Sequence, residues 1–596
     1  MQFLKTFLAS VLGTVIGIFL LLLIGFGILM STSADPEPYV RSNTIFSFTI
    51  SGDIPARVVP DPFEEIFNPS AGPRVSLESL KRNLQKAAAD DNIEGVWIKT
   101  NQVTASWANL ESAYDYLQEY KESGKFLYFS TDDIGMNEKA YFLATTADSV
   151  FTPEETNFSF SGFVAQISFY REMLDKIGVE PEIFRVGKYK SAVEPFMRRE
   201  SSPESEEQIR SIIDAASNRF VAAVEARTGK SADEIHDLLN SPPVDRLQFA
   251  LDNGLIDALA YDDEIEDIIK QRIGLEEDDD LRTISFGRYS RVTGKSAGLD
   301  DPGTSDKIAV IYASGAIMPD FGSSPFGSQG TITAAGVRSQ LEAALDDDDV
   351  KAIVFHVNSG GGAATTSDLI WNDIRKAAEK KPVIASMGSV AASGGYYIAA
   401  AADTIVAGQN TITGSIGIFN LLFNSQELFN EKIGIEFDTF KTHEYADLFD
   451  LTRPFTQSER EIIQQNIENG YESFVNRMAE SRGMTRDQIH EVAQGRVWTG
   501  TDAYDAGLID VVGGIDRAIE IAAEKAGIEE WHLEAYPKGK DLFETLFSSG
   551  NAKLHAWMTS WLPEPFNSRE AQNIRMLMEQ PKGTNWALLP LHFDVN

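Results

Sequence analysis

The sequence predicts an α/β protein built from two tandem, diverged copies of one domain behind an N-terminal membrane span. Three observations predict it. Short β-branched runs alternate with longer amphipathic segments along most of the 596 residues, the pattern of an α/β fold. The two halves match one another when slid by about 255–257 residues, the mark of an internal repeat. An uncharged apolar stretch precedes both of them, from Phe7 to Met30.

That stretch comes first in chain order. It holds about 24 residues, where a helix needs roughly 20 to cross the hydrocarbon core. A cleavable signal peptide has an apolar region of only about 7–15 residues. Ser31-Thr32-Ser33-Ala34 leaves cleavage open, but the length predicts a retained anchor. Lys5 lies before the span and Asp35 and Glu37 after it, so the positive-inside tendency puts residues 1–6 in the cytoplasm and the rest of the chain outside it. The first copy is expected over 40–290. Gly, Ser, Asp and Pro crowd Arg282 to Thr304, which predicts a boundary there. A second copy over 305–535 and an extension over 536–596 complete the chain. In the extension, aromatics in Leu542 to Phe547 and His555 to Leu562 suit packing better than an interfacial contact.

Three matches in the same order define the repeat. Asn92 to Ile98, leading to Asn101, corresponds to Asp349 to Phe355, leading to Asn358, each a buried strand after a helix. Ala140-Tyr141-Phe142 with Ala147 to Val150 corresponds to Gly395-Tyr396-Tyr397 with Ala402 to Ile405. Asp175 to Glu180 corresponds to Glu431 to Glu436. The copies disagree at two informative places. Ser393 falls opposite Glu138, and Lys190 falls opposite Ala446.

Composition narrows the chemistry. A formal net charge of −37, with clusters such as Asp346 to Asp349 and Glu276 to Asp280, gives no basic stripe that could release counterions from phosphates, so nucleic acid is excluded as a partner. The chain has no cysteine, which removes disulfides, thiolate metal sites and Cys nucleophiles together.

Ser393 lies between a predicted strand, Pro382 to Ala385, and a predicted helix, Tyr397 to Ala402. At such a turn the first helical N–H groups are unpaired and the helix dipole favours negative charge. The small residues of Ala392-Ser393-Gly394-Gly395 would let a carbonyl approach the hydroxyl, with the Gly394 N–H set to hold an oxyanion. A tight helix-packing turn would look the same. Asn358-Ser359-Gly360-Gly361-Gly362-Ala363 precedes a helix expected over Thr365 to Ala378. Three glycines there argue for close approach or positive φ. A phosphate loop would need a following Lys-Ser/Thr or a spaced Gly-x-Gly-x-x-Gly, and neither is present. An oxyanion loop fits better, with the Gly362 N–H as second donor.

A serine hydroxyl needs a base. His356 falls in a predicted buried strand, His236 and His490 fall on helices, and His443 is the one histidine near an equivalent functional region. A lysine serves if burial lowers its pKa. Lys190, among aromatic and small apolar residues in Phe184 to Phe196, is one candidate, and Lys188 is another by composition.

Three strings carry a resemblance: Tyr189-Lys190-Ser191-Ala192-Val193-Glu194-Pro195-Phe196, Ala392 to Tyr396, and Gly495 to Gly500 followed by Asp502-Ala503 and Gly507 to Asp510. In this order, from the anchor to about residue 527, the chain resembles the long form of the signal peptide peptidase A (protease IV) family, peptidase family S49. The resemblance implies tandem domains of a fold related to Clp protease and the crotonases. It implies a Ser–Lys dyad, with Ser393 as nucleophile and Lys190 as general base and proton donor, and an oxyanion hole from Gly394 and Gly362. The glycine loop departs from the related Clp loop, which usually has proline where this chain has Gly360. No cofactor and no metal are implied. The implied partners are cleaved signal peptides and other apolar peptides, met by a homotetramer on the extracytoplasmic side of the bacterial cytoplasmic membrane, anchored through 7–30. A crotonase-like acyl-thioester enzyme and a non-catalytic membrane scaffold are the alternatives.

Overall fold

In the first half, strands β1 (Thr44–Gly52), β2 (Ile93–Val103), β3 (Phe126–Thr131) and β4 (Ser149–Thr152) are separated by helices Leu77–Ala89, Trp107–Lys121 and Glu138–Ala144. Parallel strands require such crossovers. β5 (Glu180–Arg185), β6 (Ala258–Leu259) and β7 (Arg282–Ile284) follow. All but β5 form one parallel sheet, in the order β6-β4-β3-β2-β1-β7. The computed structural model describes residues 37–59, 74–132, 134–242, 244–320, 330–538 and 586–588, with positions 13, 14 and 17. Apart from those three positions the expected anchor over 7–30, and most of the 536–596 extension, lie outside the described residues. Among the described residues no helix is long and apolar enough to cross a membrane.

The second half supplies β8 (Lys307–Ser314), β9 (Ala316–Ile317), β10 (Thr331–Ile332), β11 (Val350–Ser359), β12 (Gly361–Ala363), β13 (Val383–Ala392) and β14 (Thr404–Ala407). It continues with β15 (Ile412–Gly414), β16 (Phe419–Asn424), β17 (Val497–Thr499), β18 (Val511–Val512), β19 (His532–Tyr536) and β20 (Trp586–Leu588). Its main sheet runs β17-β15-β13-β11-β8-β19, with β14 beside β13 and β18 beside β14. A third sheet, β10-β9-β12-β20-β16-β5, mixes the halves, because β5 pairs antiparallel with β16.

Both main sheets are buried on two faces, as parallel sheets must be. Ile353, Phe355 and Val357 of β11 pack into the larger core, while Ala352 and Val354 face the helix Ile515–Ala526. The first half repeats this layering, with Val96 and Ile98 on one side and Trp97, Tyr128 and Phe151 against the helix Asp262–Ile273 on the other.

Two details are added to the expectations. The polar stretch from Arg282 opens inside the first copy, within its expected 40–290: β7 pairs with Thr44 to Phe46, and Phe286 and Tyr289 of the helix Phe286–Ser290 are buried. Apolar residues every few positions suffice there, so the composition reads as polar. The helix starts, Glu138 and Gly394, also put Ser393 opposite Asn137, one residue from the position given by the sequence offset. Asn137 Oδ1 accepts from the N–H of Ala140, capping its helix, and from that of Val103. Ser393 makes no such side-chain cap.

Candidate active site

β13 ends at Ala392, and the chain reverses on Ser393 with φ 56° and ψ −116°. A non-glycine residue held there costs about 1–3 kcal/mol. The surroundings fix the turn: Ser393 N–H donates to Gly414 O at 2.8 Å, and Ser393 C=O accepts from the Tyr397 N–H at 2.9 Å. The short helix behind it is pinned by Tyr396 Oη donating to Leu508 O and Tyr397 Oη donating to Asp368 Oδ1, both at 2.8 Å. Gly395 has to be small, since a Cβ there would sit 2.2 Å from Ser359 O. Ser393 is fully buried.

Lys190 arrives from the other half. After β5 the chain passes Gly187, whose φ is 104° and whose Cβ would lie 2.2 Å from Gln494 O. Tyr189 N–H donates to Gln494 O at 3.0 Å. Gln208 ties the loop down: its Nε2 donates to Tyr189 O and Ser191 Oγ, and its Oε1 accepts from the Val497 N–H. Arg185 Nη1 donates to Lys190 O at 3.0 Å, and Glu194 accepts from the Ser202 N–H and hydroxyl. Bonds at Tyr189, Lys190 and Ser191 therefore secure one backbone position. The lysine side chain runs between Gly417 and Gly495, where added Cβ atoms would come within 3.2 Å of Lys190 Cδ and 2.6 Å of its Cβ.

Lys190 Nζ ends 2.8 Å from Ser393 Oγ, 3.0 Å from Ser415 Oγ and 3.2 Å from Ser415 O. It is fully buried, and burial alone pushes its pKa well below the ordinary lysine value. Ser415 was not legible as a site residue from sequence. Its local signal is a small-residue run, Thr413-Gly414-Ser415-Ile416-Gly417, and its diagnostic property, φ 51° on a serine, is visible only in the backbone.

The other candidates lie apart from this contact. Lys188 is exposed, over the Tyr189 ring. His443 is exposed beside Thr442. His356 is buried in β11 with Nδ1 3.1 Å from Ser386 Oγ, and burial lowers its pKa to about 4. The glycine loop is a strand rather than a loop. Gly361 has φ 104° and its N–H donates to Ser359 Oγ, while Gly362 passes so close to β9 that a Cβ would meet Ile317 O at 1.9 Å. Close approach and positive φ, the two reasons for glycine there, both operate. Gly394 is buried as the first residue of the helix Gly394–Ala399. Among the described residues, no group of three or more His, Asp or Glu could hold a metal.

Chemically, a buried amine beside a hydroxyl, with its charge disfavoured, has a lone pair directed at an exchangeable proton. Comparison with known proteins bears on the family. A model for the group described as peptidase family S49 matches residues 119–276 and 375–529. The chloroplastic serine protease SPPA of Arabidopsis thaliana is 36% identical over 497 residues, covering 83% of this chain and 71% of the relative. Protease 4 of Salmonella typhi is 35% identical over 507 residues, 83% of this chain and 79% of its own. Protease 4 of Haemophilus influenzae is 30% identical over 529 residues, with coverages of 86% and 84%. A putative signal peptide peptidase SppA of Enterococcus faecium is 31% identical over 221 residues, 37% of this chain and 64% of the relative.

Proposed function

Because the chain belongs to peptidase family S49 and is a serine peptidase, we propose that its reaction runs on a Ser393–Lys190 dyad whose members come from different halves. The observation that carries this is the 2.8 Å separation of Lys190 Nζ and Ser393 Oγ, both fully buried. Neutral Lys190 takes the Ser393 proton as Oγ attacks the scissile carbonyl carbon. The Gly394 and Gly362 amides hold the oxyanion. The ammonium then protonates the leaving amine, and the acyl-enzyme remains. Lys190 next deprotonates a water, which attacks the ester carbonyl, and the proton returns to Ser393 Oγ. Acyl-thioester chemistry and a non-catalytic scaffold give way to this reading.

The proposed substrates are cleaved signal peptides and other apolar peptides, a class supported by the name of the Enterococcus relative. Such peptides stay in the bilayer, so anchoring through 7–30, with both domains of Clp-like fold on the extracytoplasmic side, keeps the peptidase beside them. The proposed assembly is a homotetramer; association of some kind is supported by apolar exposure on one stretch, where Ile433, Ile435, Phe437, Phe440 and Tyr445 are all solvent-facing, Phe440 at 89%.

The test is a pair of variants. Lys190→Ala and Ser393→Ala should each lower kcat on a fluorogenic apolar peptide by at least about 10²–10⁴-fold with the fold intact by circular dichroism. Ser393→Ala should also abolish labelling by a serine-directed acylating probe. Retained turnover in Lys190→Ala removes the dyad.

A further inference from the structure

The first half reaches the site by a second route besides Lys190. The helix Trp107–Lys121 lies at the seam and meets the second half through polar groups. At its start, Ser106 Oγ sits 2.5 Å from Ser389 Oγ of β13. Farther along, Glu111 meets Asn410 in the turn between β14 and β15. Its Oε1 accepts from Asn410 Nδ2 at 2.7 Å, and its Oε2 accepts from the Asn410 N–H at 3.3 Å. Glu111 is buried, only 7% exposed. Arg219 of the helix Pro203–Thr228 comes no nearer to Oε1 than 3.8 Å and lies over the Tyr114 and Phe142 rings.

That turn leads directly to the dyad. β15 starts two residues after Asn410 and is paired on both sides, with Val390 to Ala392 of β13 and with β17. At its end the Gly414 carbonyl accepts the Ser393 N–H, and the next residue, Ser415, holds Lys190 Nζ. From Asn410 to Ser415 is about 17 Å of extended chain. A short strand paired on both sides shifts as a unit, so the pin at its start bears on the groups at its end. The pin also needs a carboxylate. Asn410 offers two donors side by side, and a carboxylate has an acceptor for each, whereas glutamine would set an amino group against one of them. A buried carboxylate is costly without such bonds. Burial, the largest influence, raises the Glu111 pKa, with Asp115 adding to the rise and Asn410 and Arg219 opposing it.

We propose that Glu111 is a positioning residue for the reaction: by clamping Asn410 from the first half, it sets the place of β15 and so of the Gly414 carbonyl and Ser415 around Ser393 and Lys190. Its effect on turnover rests on the dyad reading. The clamp on β15 does not.

The experiment measures kcat and KM of the full chain on a fluorogenic apolar peptide, at a temperature where circular dichroism shows every variant folded. Small displacements of reacting groups cost up to about a hundredfold, so Glu111→Gln and Asn410→Ala should each lower kcat about tenfold to a hundredfold with KM unchanged. Combining Glu111→Gln with Asn410→Ala should lower it no further, because both changes break one pair. Glu111→Gln with Asn410→Asp rebuilds the pair with its polarity reversed: the amide oxygen takes the backbone N–H and the amide nitrogen donates to the new carboxylate. That variant should return kcat to near the native value. Amide exchange over Ile412 to Ser415, faster in Glu111→Gln and in Asn410→Ala, should slow again in it. Native kcat in Glu111→Gln, or a reversed pair that recovers nothing, overturns the proposal. Turnover retained in Lys190→Ala would remove the dyad instead, and the exchange rates would still report the clamp.

Discussion

At the scale of single residues, the decisive quantity is the free energy of a proton on Lys190. Burial disfavours the ammonium, so the folded chain sheds that proton below the ordinary lysine value of 10.5. Between the lowered folded pKa and 10.5 the unfolded chain binds the proton and the native chain does not, and stability rises with pH through that window. Lys190→Met removes the penalty. Its melting temperature should exceed that of the native chain at neutral pH, and the gain should shrink as pH approaches 10.5. A gain independent of pH, or a loss at neutral pH, counts against a neutral lysine. On the dyad reading activity runs with the same titration: turnover should rise with pH to a plateau, because only the free amine would accept the Ser393 proton. Ser415 holds Nζ by two contacts and acts as a positioning residue. Losing one hydrogen bond of roughly 1 kcal/mol predicts that Ser415→Ala lowers kcat about fivefold to tenfold and leaves KM unchanged, while Ser415→Thr, a β-branched residue at φ 51°, should not restore it. A matched fall in kcat and rise in KM would assign Ser415 a merely structural part.

At the scale of elements, the site is a set of close backbone approaches, and glycines make them possible. Gly495 has φ 80° and a Cβ position 2.6 Å from Lys190 Cβ, whereas Gly483 has φ 62° with nothing within 4 Å. Alanine at either position costs about 1–2 kcal/mol for the left-handed backbone. Gly495→Ala should in addition displace Lys190 and lower kcat at least tenfold, while Gly483→Ala keeps full turnover. Equal activity in the two variants would mean that the lysine loop tolerates displacement. The same contrast explains what the sequence made legible. β2 and β11 were read from their β-branched runs, and the helix behind the glycines was placed to within a residue of its observed Ala364–Ala378. Ser393 and Lys190 stood out because the copies differ there, and the family resemblance, rather than the residues themselves, singled out Lys190 over Lys188; the structure brings the two side chains into contact. The mixed sheet escaped, since β9, β10 and β12 have only two or three residues each, too few for periodicity, and are defined by partners far along the chain. Ser415 escaped because its role rests on a backbone angle. Asn137 was missed by one residue because an offset with a two-residue spread cannot fix a register.

At the scale of the whole molecule, the two halves are joined by pairing between them rather than by contact alone. β5 and β16 share six residue pairs, Arg460 pairs with Glu182 across the seam, and Glu111 Oε1 accepts from Asn410 Nδ2 at 2.7 Å. A chain divided between residues 299 and 304 should give a second half with no turnover, and co-expression of both halves should restore it. Turnover by the second half alone would refute the shared site. The seam also sets a schedule. Translation proceeds from the N-terminus and domains fold as they emerge, so the amine of Lys190 is made long before the hydroxyl of Ser393. Their contact further requires the Gln494 to Val497 segment that grips the lysine loop. On the dyad reading, a ribosome making this protein handles an inert polypeptide until nearly the last strand is in place. On that reading the order of the gene itself withholds hydrolytic power while the chain is being made.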